Sequence, residues 1–172
     1  MNFILILSFL MSITGCYNHP EPETYLLPKG FTGRATVIFN QKPGAPIKNE
    51  NGRRVYEIPA NGILLTQFKD EYGIVNHKYY YVDSNNNKML LPIYIEEHNP
   101  DGKTTPILKD KNQVGIFLDG STGQYDKGEQ APYQMFVVCS YNTMDSFFTP
   151  EYKKQFENNL IKLTGRTKIS IP

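Results

Sequence analysis

The residues able to do chemistry are few and mostly far apart. His19, His77 and His98 are isolated, and none stands at zinc-protease spacing or beside a serine or cysteine in a nucleophile motif. The chain has two cysteines, Cys16 and Cys139, far outside the CxxC spacing of a redox pair or zinc site. Cys139 ends the apolar run Met135, Phe136, Val137, Val138, which predicts a buried thiol packed as a small hydrophobe, not a nucleophile. Asp119, Asp126 and Glu129 share residues 119–130 with Gly120, Gly123 and Gly128, a stretch that reads as a long polar loop. Carboxylates there suit calcium binding or acid–base work, but a loop fixes no separation between them, and a solvated loop is the simpler expectation. Asp83, Ser84, Asn85, Asn86 and Asn87 offer the first positions of a calcium loop. Lys88 then stands where the sharp turn needs glycine, and Tyr94 where a bidentate glutamate belongs, so a hairpin turn is expected. Tyr79, Tyr80 and Tyr81 alternate faces in a strand, so two share one side. They suit core packing better than a sugar- or partner-binding surface. No catalytic residue, metal ligand or cofactor site is assigned.

Cys16 is the exception. It follows an 11-residue apolar run over residues 3–13, which fits the apolar core of a signal peptide and falls short of the roughly 20 residues that span a bilayer. Ile13, Thr14, Gly15 and Cys16 resemble the bacterial lipobox: an aliphatic residue, two small residues that let a peptidase reach the backbone, then the cysteine whose thiolate takes up a diacylglyceryl group. The segment before it carries no Lys or Arg, a departure from the usual signal. The expectation is a signal peptide over 1–15, lipidation at Cys16, a tether over 16–24 containing Pro20 and Pro22, and one β-rich domain over 25–172. Each buried methylene contributes about 0.8 kcal/mol, so two or three acyl chains anchor a domain durably to the cell membrane or outer membrane, outside the cytoplasm.

Composition narrows the classes. Eighteen basic and 17 acidic residues give a net charge of +1, with no asymmetry pointing to nucleic acid. Tyrosine is abundant, tryptophan absent, and glycine and proline frequent, which is a strand-and-turn signature. If Cys16 is lipidated, Cys139 has no partner and the domain rests on its core rather than on a disulfide.

Strands are expected over 34–39, 54–58, 63–68, 77–82, 89–95, 114–118 and 133–138, separated by turns that include Asn51-Gly52 and Asn61-Gly62. In the first, Ala35, Val37 and Phe39 form the apolar face and Arg34, Thr36 and Ile38 the other, as in a half-buried strand. Near the C-terminus Thr149, Pro150 and Glu151 give a helix start, Tyr152, Phe156, Leu160 and Leu163 an apolar stripe, and Gly165 a stop. Lys153, Lys154, Lys162, Arg166 and Lys168 outnumber Glu151 and Glu157 there, the pattern of a solvated face or of one touching anionic headgroups. The fold class is therefore mainly β, a β-sandwich-like domain with one C-terminal amphipathic α-helix.

The run Pro28, Lys29, Gly30, Phe31, Thr32, Gly33 and the strand after it resemble the opening of a family of uncharacterised bacterial lipoprotein domains. Gly44-Ala45-Pro46, Tyr56-Glu57-Ile58-Pro59 with Gly62, and Tyr79-Tyr80-Tyr81 continue the likeness over residues 25–82. The same segment is similar to transthyretin-like and collagen-adhesin B-type β-sandwiches. The resemblance implies a lipoprotein and a sandwich but no activity. The functional expectation is a non-enzymatic binding module at the membrane surface, with a protein or glycan partner and no nucleic acid. The alternatives are an immunity or inhibitor lipoprotein against an envelope-acting toxin or hydrolase, and a glycan- or wall-modifying enzyme using the loop from Asp119 to Glu129.

Overall fold

The computed structural model describes residues 20–73, 76–94, 96–98, 104–106, 110–125 and 131–165. The chain alternates between two sheets. Strand β1 (Glu23–Pro28) lies in the first and β2 (Gly33–Ile38) in the second. The chain then returns to the first sheet for β3 (Asn49–Glu50) and β4 (Arg53–Glu57), crosses for β5 (Ile63–Leu65), and returns again for β6 (His77–Val82) and β7 (Lys88–Leu90). A separate hairpin pairs β8 (Glu96–His98) with β9 (Thr104–Pro106), and β10 (Gly115–Tyr125) and β11 (Ala131–Cys139) complete the second sheet. The first sheet runs β3-β4-β1-β6-β7 and the second β10-β11-β2-β5. This alternation makes β1 parallel to both β4 and β6, because each return to the first sheet follows an excursion through the second.

The two sheets face one another across an aromatic core. Tyr25 stacks on Tyr79 with ring centroids 4.7 Å apart, and Phe136 from the second sheet meets both edge-on. Such pairs contribute about 0.5–1.5 kcal/mol each beyond burial. Tyr79 and Tyr81 are buried and Tyr80 points to the other face, as the alternation predicts. The Asn51-Gly52 turn has both residues at positive φ, 51° and 71°, as a tight two-residue hairpin requires.

A third layer covers the far side of the second sheet. It consists of a 3-10 segment, Tyr141–Phe148, and one helix, α1 (Pro150–Thr164). The helix starts as expected: the Thr149 hydroxyl accepts from the Tyr152 N–H at 3.2 Å, and Pro150 opens the first turn. Gly165 ends it at φ 68°, its N–H donating to the Ile161 carbonyl. Phe156 and Leu160 pack on Ile38, Ile63 and Tyr133. The sandwich-like arrangement of two sheets with one C-terminal helix is the expected architecture.

Several local expectations change. Strand β2 is buried on both faces, because α1 and the 3-10 segment cover the side that carries Arg34, Thr36 and Ile38. Leu163 is exposed and Ile161 packs in its place, since the stripe turns away from the sheet at the helix end. Residues 119–125 are strand rather than loop, paired with β11 up to Tyr125↔Ala131. The domain also begins earlier than residue 25: β1 starts at Glu23, whose side chain is buried.

Candidate functional site

Three strands of the first sheet carry the same pattern, an ionisable residue, one residue, then tyrosine: Glu23-Thr24-Tyr25, Arg54-Val55-Tyr56 and His77-Lys78-Tyr79. The parallel register aligns them, with Glu23 opposite both Arg54 and His77, and Tyr25 opposite both Tyr56 and Tyr79. Residues two apart in a strand share a face. The sheet therefore presents a charged row and, one layer deeper, a tyrosine row to the core. The second sheet answers with Gln134 from β11 and Asp119 from β10.

Glu23 is the hub. Its carboxyl accepts from the Tyr25 hydroxyl at 2.5 Å, the Tyr56 hydroxyl at 3.1 Å and His77 Nε2 at 3.0 Å. On the other edge of the ring, His77 Nδ1 lies 2.6 Å from Asp119 Oδ1, which also accepts from the Tyr79 hydroxyl at 2.5 Å. Burial alone would lower the His77 pKa, but the hydrogen bonds and charges of Asp119 and Glu23 outweigh it and push the value up to about 9. Burial would likewise raise Asp119, yet its bonds from His77 and Tyr79 hold it below the ordinary carboxylate range. Desolvation, reinforced by the neighbouring carboxyl groups, raises Tyr25 and Tyr79 well above the usual phenol value. Gln134 closes the group from the second sheet: its carbonyl oxygen accepts from the Tyr25 hydroxyl at 2.8 Å, and its amide nitrogen lies 3.2 Å from His77 Nε2.

Asp119 reaches this cluster through a bulge. Phe117 pairs with Val137 and Ser121 with Met135, so Leu118, Asp119 and Gly120 stand opposite Phe136 alone. Leu118 takes φ 56° and Gly120 φ 75°. A leucine in the left-handed region costs about 1–3 kcal/mol, which the bonds of Asp119 to His77 and Tyr79 offset. Beside the cluster, Arg54 donates to Glu21 at 2.9 Å, to the Lys69 carbonyl at 2.6 Å and to Glu71, with its guanidinium over the Phe68 ring. Arg53, on the opposite face, reaches Thr24 Oγ1 at 2.8 Å and the Asn76 carbonyl at 2.6 Å.

The arrangement latches the two sheets together with charge. A general base needs a free ring nitrogen and a pKa near the working pH. His77 has both nitrogens engaged by carboxyl groups, and its side chain is 6% exposed. His77 and Asp119, taken separately as an isolated histidine and a loop carboxylate, are thus partners.

The other candidates lie elsewhere. Cys139 is a free, buried thiol, and burial pushes its pKa up to about 11. In a Cys16→Ala chain, where Cys139 is the remaining thiol, iodoacetamide at pH 8 should label the folded protein at least tenfold more slowly than the urea-unfolded protein, as read by intact mass. Asp83 closes its turn by accepting from the Asn85 and Asn87 backbone N–H groups, both at 2.9 Å. Cys16, His19, Asp126, Glu129, Arg166 and Lys168 lie outside the described residues, and for His98 only the backbone is described. Among the described residues no group of three or more His, Cys, Asp and Glu is placed to hold a metal ion, and no helix is long and apolar enough to cross a membrane. The outer face of the first sheet carries an open groove of about 430 Å³ lined by Leu26, Pro28, Lys48, Glu57, Val82 and Lys88.

No curated protein matches the chain. Among solved structures, the chain is similar to one described as "Putative Lipoprotein from Bacillus anthracis", at 20% identity and a TM-score of 0.54, covering 85% of this chain and 96% of that one. At that identity the likeness speaks for the fold. The family model described as "Family of unknown function (DUF6843)" matches residues 19–147, and the chain belongs to that family.

Proposed function

We propose that this protein is a bacterial envelope lipoprotein, cleaved after Gly15 and lipidated on Cys16, whose domain is a non-catalytic binding module held at the membrane surface. The observation that carries the non-catalytic part is the closure of the Glu23–His77–Asp119 cluster, in which the histidine has no free nitrogen to offer a substrate. The anchor rests on Ile13-Thr14-Gly15-Cys16 after an apolar run, and the shared fold with a protein described as a lipoprotein accords with it. The link from Cys16 to Glu21, which Arg54 binds, is short and keeps the domain close to the bilayer. At roughly 3.3–3.6 Å per residue, those five residues span at most about 18 Å. The groove on the outer face of the first sheet, with apolar walls and a charged rim, is a surface shaped to take a partner.

Metabolic labelling with a palmitate analogue tests the anchor. The wild-type chain should incorporate label and partition into detergent, and Cys16→Ala should do neither. Label persisting in Cys16→Ala would show that this thiol is not the attachment point.

A further inference from the structure

Among the described residues, Arg34 is a buried cation without a counter-charge. It sits on β2, 5% exposed, on the face that α1 and the 3-10 segment cover. Its guanidinium lies between two rings, 5.5 Å from the Phe156 centroid and 5.7 Å from that of Phe148. Its Nε and Nη1 are sealed from solvent and have no hydrogen-bond partner. The backbone N–H of the same residue is satisfied, donating to the Tyr152 hydroxyl at 2.9 Å. Among the described residues no carboxylate pairs with this side chain. Among the described residues the other buried charged side chains are paired: Arg54 with Glu21 and Glu71, and Glu23 with His77.

Stacking between aromatic rings returns part of the desolvation cost, about 2 kcal/mol at best, and leaves the in-plane N–H groups unmet. The Arg34 side chain also borders a cavity, from which its Nε and Nη1 are shut off. Arg34 lines a pocket of about 180 Å³ together with Thr32, Asn61, Tyr152, Gln155 and Asn159, and its lining contains no acidic residue. Asn61 already uses its side-chain oxygen to accept from the Ile63 N–H at 3.1 Å, so its amide NH₂ is the end left to donate. Gln155 and Asn159 are four apart on α1 and so project from the same helix face. Phe148, which closes the guanidinium on one side, is 45% exposed and can turn aside without disturbing the core.

We infer that this pocket is an oxyanion-binding site, in which the Arg34 guanidinium takes a carboxylate or phosphate group and Asn61, Gln155 and Asn159 supply neutral donors around it. A guanidinium fork matches two oxygens of either group, and one unpaired cation in a lining without acids selects a single negative charge. The volume admits the anionic end group of a small molecule rather than a large ligand.

Thermal unfolding of the full chain in neutral detergent, at constant ionic strength with chloride as reference, tests this with two ligands, acetate and inorganic phosphate. At least one should raise the melting temperature saturably, by about 5–10 °C at a hundred times its apparent Kd. Acetate alone marks a carboxylate ligand, and phosphate alone marks a phosphorylated one. Arg34→Met keeps the apolar stem between the rings, and should fold at least as stably as wild type while its apparent Kd rises at least 30-fold. Gln155→Leu with Asn159→Leu, on exposed helix positions, should weaken binding several-fold without touching the core. No saturable response to either anion, or one unchanged in Arg34→Met and in the double variant, overturns the site.

Discussion

The protein should melt at its highest temperature between about pH 4.5 and 6.5, and about 5–10 °C lower at pH 9. The cause is His77. Folding raises its pKa from 6.5 to about 9, so the folded chain holds that proton more tightly than the unfolded one. Its stabilisation is complete below pH 6.5 and is lost as pH climbs through 9. A shift of this size is worth about 2–3 kcal/mol, and for a chain of this length each kcal/mol moves the midpoint by roughly 2–4 °C. Asp119 works on the acid side. Its pKa is held below the ordinary value, so its contribution is present above about pH 4 and disappears as pH falls further. The window between the two is therefore acidic rather than neutral. His77→Gln keeps a polar side chain but cannot titrate, and should flatten the slope between pH 6.5 and 9. Calorimetric melts across that range decide it. A wild-type slope that survives in His77→Gln would place the titrating group elsewhere.

Glu23→Ala should cost about 3–5 kcal/mol, as measured by urea unfolding followed by circular dichroism. Three donors converge on this one carboxyl, from Tyr25, Tyr56 and His77, and none of them regains water when it is removed. A residue in a flexible tether would move stability by less than about 0.5 kcal/mol, so the two roles differ several-fold. Glu23→Ala and His77→Gln combined should cost clearly less than the sum of the two, because each removes part of the same cluster. Full additivity would mean that Glu23 stabilises the sheet by some route other than His77.

The difference between tether and hub shows what local pattern can and cannot reveal. Strand periodicity, Asn51-Gly52, and the Thr149-Pro150 start of α1 are local signals, set by steric and hydrogen-bond rules acting within a few residues, and they place most of the framework. Glu23 carries no such signal. It follows two prolines and belongs to a strand only because β4 and β6, 30 and 54 residues further on, align Arg54 and His77 beside it. The recurrence of an ionisable residue two before tyrosine in three segments was the available clue, and it gains meaning once the strands are parallel. Asp119 was hidden for another reason. Its surrounding glycines read as loop, whereas Gly120 supplies the positive φ of a bulge that aims the carboxyl inward. Arg34 and Thr36 looked solvent-facing because the 3-10 segment and α1 that cover them come more than 100 residues later.

The parallel placement of β1 also has a mechanical consequence. If the chain is held at Cys16, any load between the bilayer and a bound partner enters the domain at the start of β1. That strand is not an edge that can peel off one bond at a time. It has hydrogen-bonded neighbours on both sides, and Arg54 grips the chain at Glu21 just ahead of it. Pulling along its axis loads both ladders in shear at once, so the entry point of the force is among the firmest parts of the domain.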